Sequence, residues 1–455
     1  MGPTKRNATD APLRVLVEVT DTVSLPYTTG MQRVARELLA RLGNHAPHDR
    51  NDRASDGSAT FAPVVWTPAA DWYRTLTADE LDALAHPREQ LPTSTSIARR
   101  IPAPVANSVR RVLAIPAMRD LRAAARHMAH LRRERPLVDR VVAPADPSTV
   151  LLDLEAAWND PVSRDRLLPE LRRSGARSAV LVADVLPMLH PEWFDGVLVR
   201  DFARYLDGHL HHSDLFLCIS ERTRLDLIEV AAARGVRRDL DARVIPLGAD
   251  IAAAPTDADR DVPSEIGPPI MRFLLMVGTI EPRKNQALAI DVFDRIAERH
   301  PEIGLVLVGK RGWKVDDLIR RIESHPRFGD RLVWLEEVDD TRLGRLYRDA
   351  FLTLTPARYE GLGMSVTESL CAGTPVIAST AGALPEAGGD LAEYADADDV
   401  DAWVRLVERH LDEPTHHAAA VERARTHHPP TWDEAAVAVR AAVQDAFSTS
   451  RKPVP

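Results

Sequence analysis

The sequence predicts an α/β protein built from two doubly wound domains, each a parallel sheet with helices on both faces. Three observations favour this fold. Strand-like and helix-like segments alternate along the chain, which is typical of parallel sheets. They do so in two runs, separated by a stretch over 251–269 that is rich in Ala, Pro and Asp. The length of 455 residues is also too great for one ordinary hydrophobic core.

The first run begins with a β-branched strand over 13–19 and a helix over 31–42, whose apolar residues recur at helical spacing. The loop between them ends at Gly30, where the first strand–helix turn of such a sheet meets a ligand. No G-x-G-x-x-G motif follows the strand, which disfavours a dinucleotide-dependent dehydrogenase. Further strands are predicted over 61–66, 149–154, 178–184 and 214–220.

The second run repeats the alternation. Its strands are predicted over 273–278, 304–309, 331–335, 351–355 and 375–379, and its helices over 286–300, 315–324, 341–348 and 365–372. A last helix is predicted over 432–447. We therefore expect an N-terminal domain over 1–255, a C-terminal domain over 256–430, and a C-terminal helix within 431–455 that packs back toward the first domain.

Composition excludes several classes of protein. The chain is 45% apolar and 27% charged with a net charge of -9, which is typical of a soluble globular protein and disfavours binding to nucleic acid. No apolar run approaches the roughly 18 residues that span a bilayer. Cys218 and Cys371 lie in apolar segments, so we interpret them as small buried hydrophobes. These features predict a reducing, cytoplasmic location.

Eleven arginines occur over 98–140, interleaved with apolar residues. The spacing from Arg119 to Arg133 suits an amphipathic helix. We favour a solvated helical face with its apolar side in the core. The alternative is a peripheral contact with anionic lipid at the inner face of the membrane.

Two carboxylates, Glu360 and Glu368, flank a glycine turn in the second half. The turn follows the predicted strand over 351–355 and precedes a helix that begins near Ser365. Free backbone N–H groups and the positive end of a helix dipole make this position suitable for phosphate. Carboxylates beside phosphate are explained if they bind the hydroxyls of a group attached to it, as in a sugar nucleotide.

Cations are predicted at the neighbouring strand end, where Arg283 and Lys284 follow the strand that ends at Gly278. Fixed cations there would stabilise a nucleoside diphosphate as it leaves an anomeric carbon. Only five of the 58 basic residues are lysine, so a retained lysine marks a place that favours a compact ammonium. The spacing of His and Cys matches no zinc pattern, and we expect no metal ion.

Together these segments resemble a retaining glycosyltransferase of family 4, which has the GT-B fold. The specific part of the resemblance lies in Gly278-Thr-Ile-Glu-Pro-Arg-Lys-Asn285, Leu307-Val-Gly-Lys310, Glu360-Gly-Leu-Gly-Met364 with Glu368, and Gly373-Thr-Pro-Val-Ile-Ala-Ser379. A fainter similarity, to bacterial mannosyltransferases of surface polysaccharides, lies in Thr29-Gly-Met-Gln-Arg-Val-Ala-Arg36, Asp184-Val-Leu-Pro-Met-Leu-His-Pro-Glu192 and Ile219-Ser-Glu-Arg-Thr-Arg-Leu-Asp226.

The resemblance implies two Rossmann-like domains facing each other across a cleft, the first binding the acceptor and the second the nucleotide sugar. It implies that Glu360 binds hydroxyls of the transferred sugar and that Glu368 binds the ribose. Lys284 and an arginine would clamp the diphosphate, and Gly30 would approach it from the first domain. The remaining donor contacts that the resemblance implies are Gly278, Thr279, Gly361, Leu362, Gly363, Met364 and Ser365.

Two departures from the family pattern affect these roles. Many relatives place the clamp arginine where this chain has Thr279, so Arg283 is the substitute. Many carry a histidine at the position of Ala183, and its role passes to Asp184, His190 or the substrates.

The resemblance implies transfer of a hexose, with mannose favoured, from a nucleoside-diphosphate sugar to a hydroxyl of a glycan, lipid-linked or small-molecule acceptor. No cofactor or metal is expected. The family mechanism is a front-face displacement with retention, although a carboxylate such as Glu360 can also form a glycosyl-enzyme. Two other hypotheses are a GT-B-fold epimerase or phosphorylase, and a non-catalytic nucleotide-sugar-binding relative.

Overall fold

The structure is a computed structural model that describes residues 12–24, 30–43, 59–85, 139–155, 157–159, 162–249 and 272–448. The chain divides into two units. Unit 1 holds residues 1–181, 204–215 and 440–455, and unit 2 holds residues 182–203 and 216–439. This division groups residues 182–203 and residues 216–249 with the second half of the chain. It therefore does not test the domain boundaries predicted at 255 and 430, which stay a prediction.

A first sheet contains seven strands. In chain order they are β1 (Arg14–Glu18), β2 (Thr60–Thr67), β3 (Trp72–Thr75), β4 (Thr149–Asp153), β5 (Arg177–Val182), β6 (Leu215–Cys218) and β7 (Ala242–Val244). Their order across the sheet is β3-β2-β1-β4-β5-β6-β7. The central strand β1 pairs in parallel with β2 and with β4, whereas β3 is antiparallel to β2. All five residues of β4 are buried, as expected for a strand covered on both faces.

The second sheet contains six strands. They are β8 (Arg272–Val277), β9 (Ile303–Val308), β10 (Leu332–Leu335), β11 (Leu352–Thr355), β12 (Val376–Ser379) and β13 (Glu393–Ala395). Their order is β10-β9-β8-β11-β12-β13, and the neighbouring strands pair in parallel. Counted from β8, this is the 3-2-1-4-5-6 order of a doubly wound sheet, in which ligands bind where the order reverses. Here the reversal lies between β8 and β11.

Helices cover these sheets. In chain order they are α1 (Thr20–Ser24), α2 (Gly30–Leu42), α3 (Ala78–Ala85), α4 (Arg164–Arg173), α5 (Leu186–Leu189), α6 (Gly196–His212), α7 (Glu221–Ala233), α8 (Gln286–Ile296), α9 (Asp316–Glu323), α10 (Asp340–Asp349), α11 (Met364–Cys371), α12 (Leu384–Gly388), α13 (Val400–Asp412), α14 (Pro414–Arg425) and α15 (Trp432–Ser448).

The second sheet buries both faces because its strands are continuously apolar. On β8, Leu274 belongs to the core cluster that includes Phe293 and Trp403, whereas the neighbouring Leu275 belongs to the opposite cluster with Tyr347. Successive residues of a strand point to opposite faces, so an uninterrupted apolar strand supplies two cores at once. The predicted α/β class with two Rossmann-like parallel sheets is confirmed.

The end of α15 packs within unit 1. Arg440 donates hydrogen bonds to the backbone carbonyls of Leu42 and Ala59, at 3.0 and 3.1 Å. Its guanidinium carbon also lies 4.8 Å from the centre of the Phe61 ring. The guanidinium of this arginine therefore both donates hydrogen bonds and packs over an aromatic ring.

The arginine-rich segment over 98–140 lies outside the described residues except for its last two, so its predicted helix and lipid contact stay predictions. Among the helices that the structure describes, none combines the length and apolar character that a bilayer crossing requires.

Candidate active site

The candidate site lies in unit 2, beyond the carboxyl ends of β8 and β11. After β8 the chain turns at Gly278, whose φ of +146° favours glycine. A Cβ atom at this position would lie 3.3 Å from the Cε atom of Lys284. A short 3-10 helix over Pro282–Lys284 then presents two cations, Arg283 and Lys284. The missing side chain at residue 278 thus makes room for the lysine.

Glu360 is held between these two cations. Arg283 Nη1 donates to one carboxylate oxygen of Glu360 at 2.7 Å, and Lys284 Nζ donates to the other oxygen. On its opposite edge, Arg283 Nε lies 2.7 Å from a carboxylate oxygen of Glu281. The turn after β8 and the turn after β11 are therefore joined by an ionic network of four side chains.

Burial and the neighbouring cations have opposite effects on the pKa values of the two carboxylates in this network. Burial favours the neutral form of Glu360, but the charges and hydrogen bonds of Arg283 and Lys284 outweigh it and lower the pKa of Glu360 to about 2. For Glu281, burial dominates and raises the pKa in spite of the nearby cations. Glu360 is 8% exposed, whereas the side chains of Arg283 and Lys284 are 19% and 17% exposed. The carboxylate is fixed in its ionised form, and its two partners reach solvent.

Asp184 lies beside the same turn, two residues after β5. Its carboxylate accepts a hydrogen bond from the backbone N–H of Leu186 at 3.0 Å. A Cβ atom at Gly361 would lie 3.0 Å from the Cβ atom of Asp184 and 2.5 Å from the carbonyl oxygen of Ala183. Burial raises the pKa of Asp184, the charge of Arg283 opposes this, and the charge of Glu360 adds to it. The predicted residues Asp184, Arg283, Lys284 and Glu360 are thus brought together.

Hydroxyl groups at the start of α7 hold the glycine turn: Ser220 precedes the helix and Thr223 lies in its first turn. Ser220 Oγ and Thr223 Oγ1 both donate to the carbonyl oxygen of Gly361, at 2.5 and 3.0 Å. On the other side, Gly382 has a φ of +60°, and a Cβ atom there would lie 2.4 Å from the carbonyl oxygen of Glu360. The backbone around Glu360 is fixed by close contacts on two sides.

The turn ends at Gly363, whose φ of +87° leads into α11. Met364 and Ser365, the first residues of this helix, are partly exposed, as is Leu362. Their backbone N–H groups belong to the first turn of a helix, where orphan donors and the helix dipole favour an anion. Glu368 lies one turn further and is 6% exposed, and its carboxylate accepts a hydrogen bond from Tyr347 Oη at 2.9 Å. Its implied contact with ribose stays a prediction.

His190 lies near the site rather than in the ionic network. Its ring stacks on that of Trp193, with 4.0 Å between centroids, and lies 5.6 Å from the ring of Tyr359, which precedes Glu360. Its Nδ1 atom is 3.3 Å from a carboxylate oxygen of Glu192. Tyr359 Oη in turn donates to Asp226 at 2.6 Å. An aromatic group therefore borders the turn that carries Glu360.

The two other predicted donor residues have different surroundings. Gly30 is the exposed first residue of α2 and belongs to unit 1, so its contact with a donor stays a prediction. The carbonyl oxygen of Thr279 accepts a hydrogen bond from Gln286 Nε2 at 2.9 Å, which fixes the turn after Gly278.

Sequence reasoning missed three contributors to this region. Glu281 was not predicted as a site residue, because only its position two residues before Arg283 distinguishes it in the sequence. Glu386 accepts hydrogen bonds from the backbone N–H groups of Glu221 and Arg222 at 2.8 and 3.1 Å, and so caps α7. Lys314 donates to the carbonyl oxygens of Glu192 and Phe194 at 2.6 and 2.7 Å. Its retention as lysine therefore has a structural reason.

Comparison with known proteins identifies the region that carries this network. Residues 268–427 match the family described as "Glycosyl transferases group 1". The match covers 160 of the 455 residues. The matched range includes the turn after β8, the Glu360 turn and α11, so Arg283, Lys284, Glu360 and Glu368 all lie within it.

Two curated proteins that the chain resembles are named as mannosyltransferases. The chain is 29% identical over 226 residues to the serotype-specific mannosyltransferase WbdA of Escherichia coli, an alignment that covers 46% of this chain and 27% of the relative. It is 31% identical over 218 residues to the O-antigen chain mannosyltransferase B of Escherichia coli, covering 45% of this chain and 54% of the relative. The chain thus spans only part of the length of these relatives.

Solved structures confirm the fold over nearly the whole chain. A crystal structure of Anabaena Alr3699/HepE in complex with UDP has a TM-score of 0.58 at 13% identity, and covers 96% of this chain and 99% of that one. Sucrose-phosphate synthase from Thermosynechococcus elongatus has a TM-score of 0.56 at 18% identity, with 96% and 100% covered. The chain has the GT-B fold that the sequence predicts.

Proposed function

We propose that the chain is a retaining glycosyltransferase that moves a hexose, with mannose favoured, from a nucleoside-diphosphate sugar to a hydroxyl of a glycan, lipid-linked or small-molecule acceptor. The observation that carries this proposal is Glu360, ionised between Arg283 and Lys284 where the strand order reverses. Cations and a carboxylate at one point suit a ligand that combines a diphosphate with neutral hydroxyls.

In this proposal the two cations bind the diphosphate. Both side chains are partly exposed and belong to a short turn, so each can keep its bond to Glu360 while it meets a second anion. The bond from the anomeric carbon to the diphosphate oxygen breaks in the reaction, and negative charge builds on that oxygen. Fixed cations stabilise this charge more strongly in the transition state than in the ground state, which is what accelerates the step.

In this proposal Glu360 binds hydroxyls of the transferred sugar. A carboxylate with a pKa of about 2 remains an acceptor at neutral pH, and it can take hydrogen bonds from two adjacent hydroxyls. The helix N-terminus at Met364 and Ser365 adds donors for oxygens of the sugar phosphate. The hexose is thereby oriented with its anomeric carbon toward the acceptor.

For the chemical step we propose a front-face displacement. The acceptor oxygen forms the new bond to the anomeric carbon on the face from which the diphosphate leaves, and the leaving phosphate oxygen takes the proton of the acceptor hydroxyl. Asp184 and His190 lie beside the Glu360 turn and are proposed to orient the acceptor. This scheme needs neither a protein nucleophile nor a metal ion.

Mannose is favoured because the curated relatives named above are mannosyltransferases, and GDP-mannose is accordingly the proposed donor. A UDP-sugar is the second candidate, because the HepE structure contains UDP. Action on polysaccharide belongs to the same proposal, and a contact of 98–140 with the inner face of the membrane is the alternative to a solvated helical face.

Binding and product analysis test the proposal in two steps. Thermal-shift measurements with GDP, UDP and ADP identify the base, and we expect one of them to raise the melting temperature with EDTA present as well as without it. Incubation with the matching sugar nucleotide and candidate acceptors then yields a glycoside, whose anomeric configuration is read by NMR. An inverted product would contradict retention, and no response to any nucleotide would contradict the transferase assignment.

The same experiment separates the alternatives. An epimerase returns a changed sugar nucleotide, or releases an altered sugar, without an acceptor. A phosphorylase requires inorganic phosphate. A non-catalytic relative is stabilised by the nucleotide sugar but leaves it intact.

A further inference from the structure

A second cluster of polar side chains lies in unit 2, at the corner between α13 and α14. Glu393 is the first residue of β13, His410 is in the last turn of α13, and His416 is in the first turn of α14. The corner contacts the start of β13, which brings the three residues together although they are up to 23 positions apart. None of them belongs to the network around Glu360.

The imidazole rings of His410 and His416 contact the same carboxylate oxygen. The Nε2 atoms of His410 and His416 lie 3.2 and 2.9 Å from Oε1 of Glu393. The candidate ligand atoms of the three residues all fall within 4.8 Å of one another. Nitrogen and oxygen ligands about 2.0 to 2.2 Å from a tetrahedral ion are themselves roughly 3.3 to 3.6 Å apart. The two contacts with Glu393 lie within about half an ångström of these separations, and a bound ion would draw the two histidine nitrogens, which are no more than 4.8 Å apart, together by up to about 1.4 Å.

The surroundings orient His410 as a metal ligand requires. Its other ring nitrogen, Nδ1, lies 3.2 Å from Nδ1 of His417. The His417 ring stacks on Phe351, with 4.0 Å between centroids and 14° between planes. His410 is 2% exposed, so this hydrogen bond and the packing fix its ring. Metal-binding histidines in proteins are held by such a partner at the second nitrogen.

One nearby cation competes for the carboxylate. Arg423 Nη2 lies 3.6 Å from Oε1 of Glu393, and its side chain is 41% exposed. A guanidinium at this distance and exposure is held weakly and can turn toward solvent. The alternative to a metal site is thus a purely structural network, in which two imidazoles and one arginine share a carboxylate.

We propose that Glu393, His410 and His416 bind a zinc ion, which ties the corner between α13 and α14 to the edge strand β13. Two imidazoles and a carboxylate are borderline ligands of the kind that zinc prefers, and the fourth position is left for water. This site goes beyond the proposed transfer reaction, because its ligands are separate from the donor-binding residues and its role is to fasten the corner. Sugar transfer without a metal at the Glu360 site is compatible with it.

The test is a titration of the full chain, freed of metal with a chelator, with zinc chloride by calorimetry. We expect one ion to bind with a Kd in the micromolar range or below. His416→Gln and Glu393→Gln each remove one ligand and should weaken this binding at least about tenfold. The matched control is His428→Gln, which removes an exposed histidine of the same region and should bind zinc like the wild type.

Binding of cobalt(II) distinguishes a metal site from a purely structural network, because only a metal site gives rise to the visible absorption of a bound ion. Its visible absorption reports four-coordinate nitrogen and oxygen ligation, and we expect the band in the wild type and in His428→Gln but not in His416→Gln. Circular dichroism of the metal-free proteins checks that the variants are folded. Equal zinc affinity in the wild type and in both ligand variants would overturn the proposal, as would failure of the wild type to bind zinc.

Discussion

Units 1 and 2 each contain a buried carboxylate between two basic side chains, and the two clusters differ in access to solvent. In unit 1, Asp153 binds Arg164 Nε at 2.6 Å and His209 Nε2 at 3.1 Å, and these side chains are at most 1% exposed. Burial alone would raise the pKa of Asp153, but Arg164 and His209 lower it to about 2. Glu360 in unit 2 has a pKa of about 2 for the same kind of reason.

The difference shows that an ionic network alone does not identify a functional site. In unit 1 the hydrogen-bonded chain continues from His209 Nδ1 to Ser213 Oγ at 2.7 Å, so serine, histidine and aspartate follow one another as in a catalytic triad. Ser213 is fully buried, and no substrate can reach it. The cations at Glu360, by contrast, are 17% and 19% exposed. We infer that the first cluster maintains the core and the second exchanges partners with a ligand.

The largest expected effect is on stability, in unit 1. Arg164→Met removes the partner of a buried carboxylate and should lower the free energy of unfolding by about 3 to 5 kcal/mol. Urea unfolding followed by circular dichroism measures this loss. The matched control is Arg166→Met in the same helix, whose ion pair with Asp71 is 57% and 59% exposed and should be worth less than about 0.5 kcal/mol. A loss in Arg164→Met as small as that of the control would contradict the structural role of the cluster.

The second effect is on turnover. Glu360→Gln keeps the shape of the side chain but removes its charge, and we expect the transfer rate to fall about a hundredfold or more. Affinity for the nucleoside diphosphate itself should not fall, because Arg283 and Lys284 lose a competing anion. Turnover assays and calorimetry with the nucleotide separate these two quantities. Weaker nucleotide binding in this variant would contradict a role for Glu360 that is limited to binding the sugar hydroxyls.

The third effect is on donor affinity. Lys284→Ala removes one of the two proposed diphosphate cations and should weaken nucleotide binding about ten- to a hundredfold, the range for hydrogen bonds to charged groups. Lys284→Arg should not restore it, because the aliphatic end of the lysine fits the space left by Gly278. Arg295→Ala, which removes an exposed cation on the following helix, is the control with unchanged affinity. Equal Kd values for Lys284→Ala and the control would show that Lys284 does not bind the diphosphate.

The smallest effect is the response to acid. The pKa of Glu360 is lowered from an ordinary 4.5 to about 2, so its contribution to stability is complete above 4.5 and disappears as the pH falls toward 2. The stability advantage of the wild type over Glu360→Gln should therefore shrink between about pH 6 and about pH 3.5, and the same holds for Asp153→Asn. Melting temperatures at the two pH values measure it. A constant difference would mean that these carboxylates are not paired as described.

The alternation of elements was predictable because apolar strands and amphipathic helices leave a local signal. The strands predicted over 273–278 and 304–309 are observed within one residue, as β8 and β9. By contrast, β7 and β13 have three residues each and were not predicted, because so short a strand is defined by its neighbour in the sheet rather than by its own pattern.

The candidate site was predictable in its charged residues but not in their connections. Position at strand ends, together with the family resemblance, indicated Arg283, Lys284 and Glu360. Nothing local indicates that Arg283 also binds Glu281, since that contact depends on the conformation of one turn. The cluster at Glu393 is less predictable still, because its ligands come from three elements that only the folded chain brings together.

The glycines around Glu360 define which positions of the proposed enzyme can change during laboratory evolution. A side chain at Gly361 would overlap the carbonyl oxygen of Ala183, and one at Gly382 would overlap that of Glu360. Libraries aimed at a different donor sugar should therefore keep both glycines and vary the partly exposed Leu362, Met364 and Ser365. New specificity can then arise from side chains alone, on a backbone that stays the same in every variant.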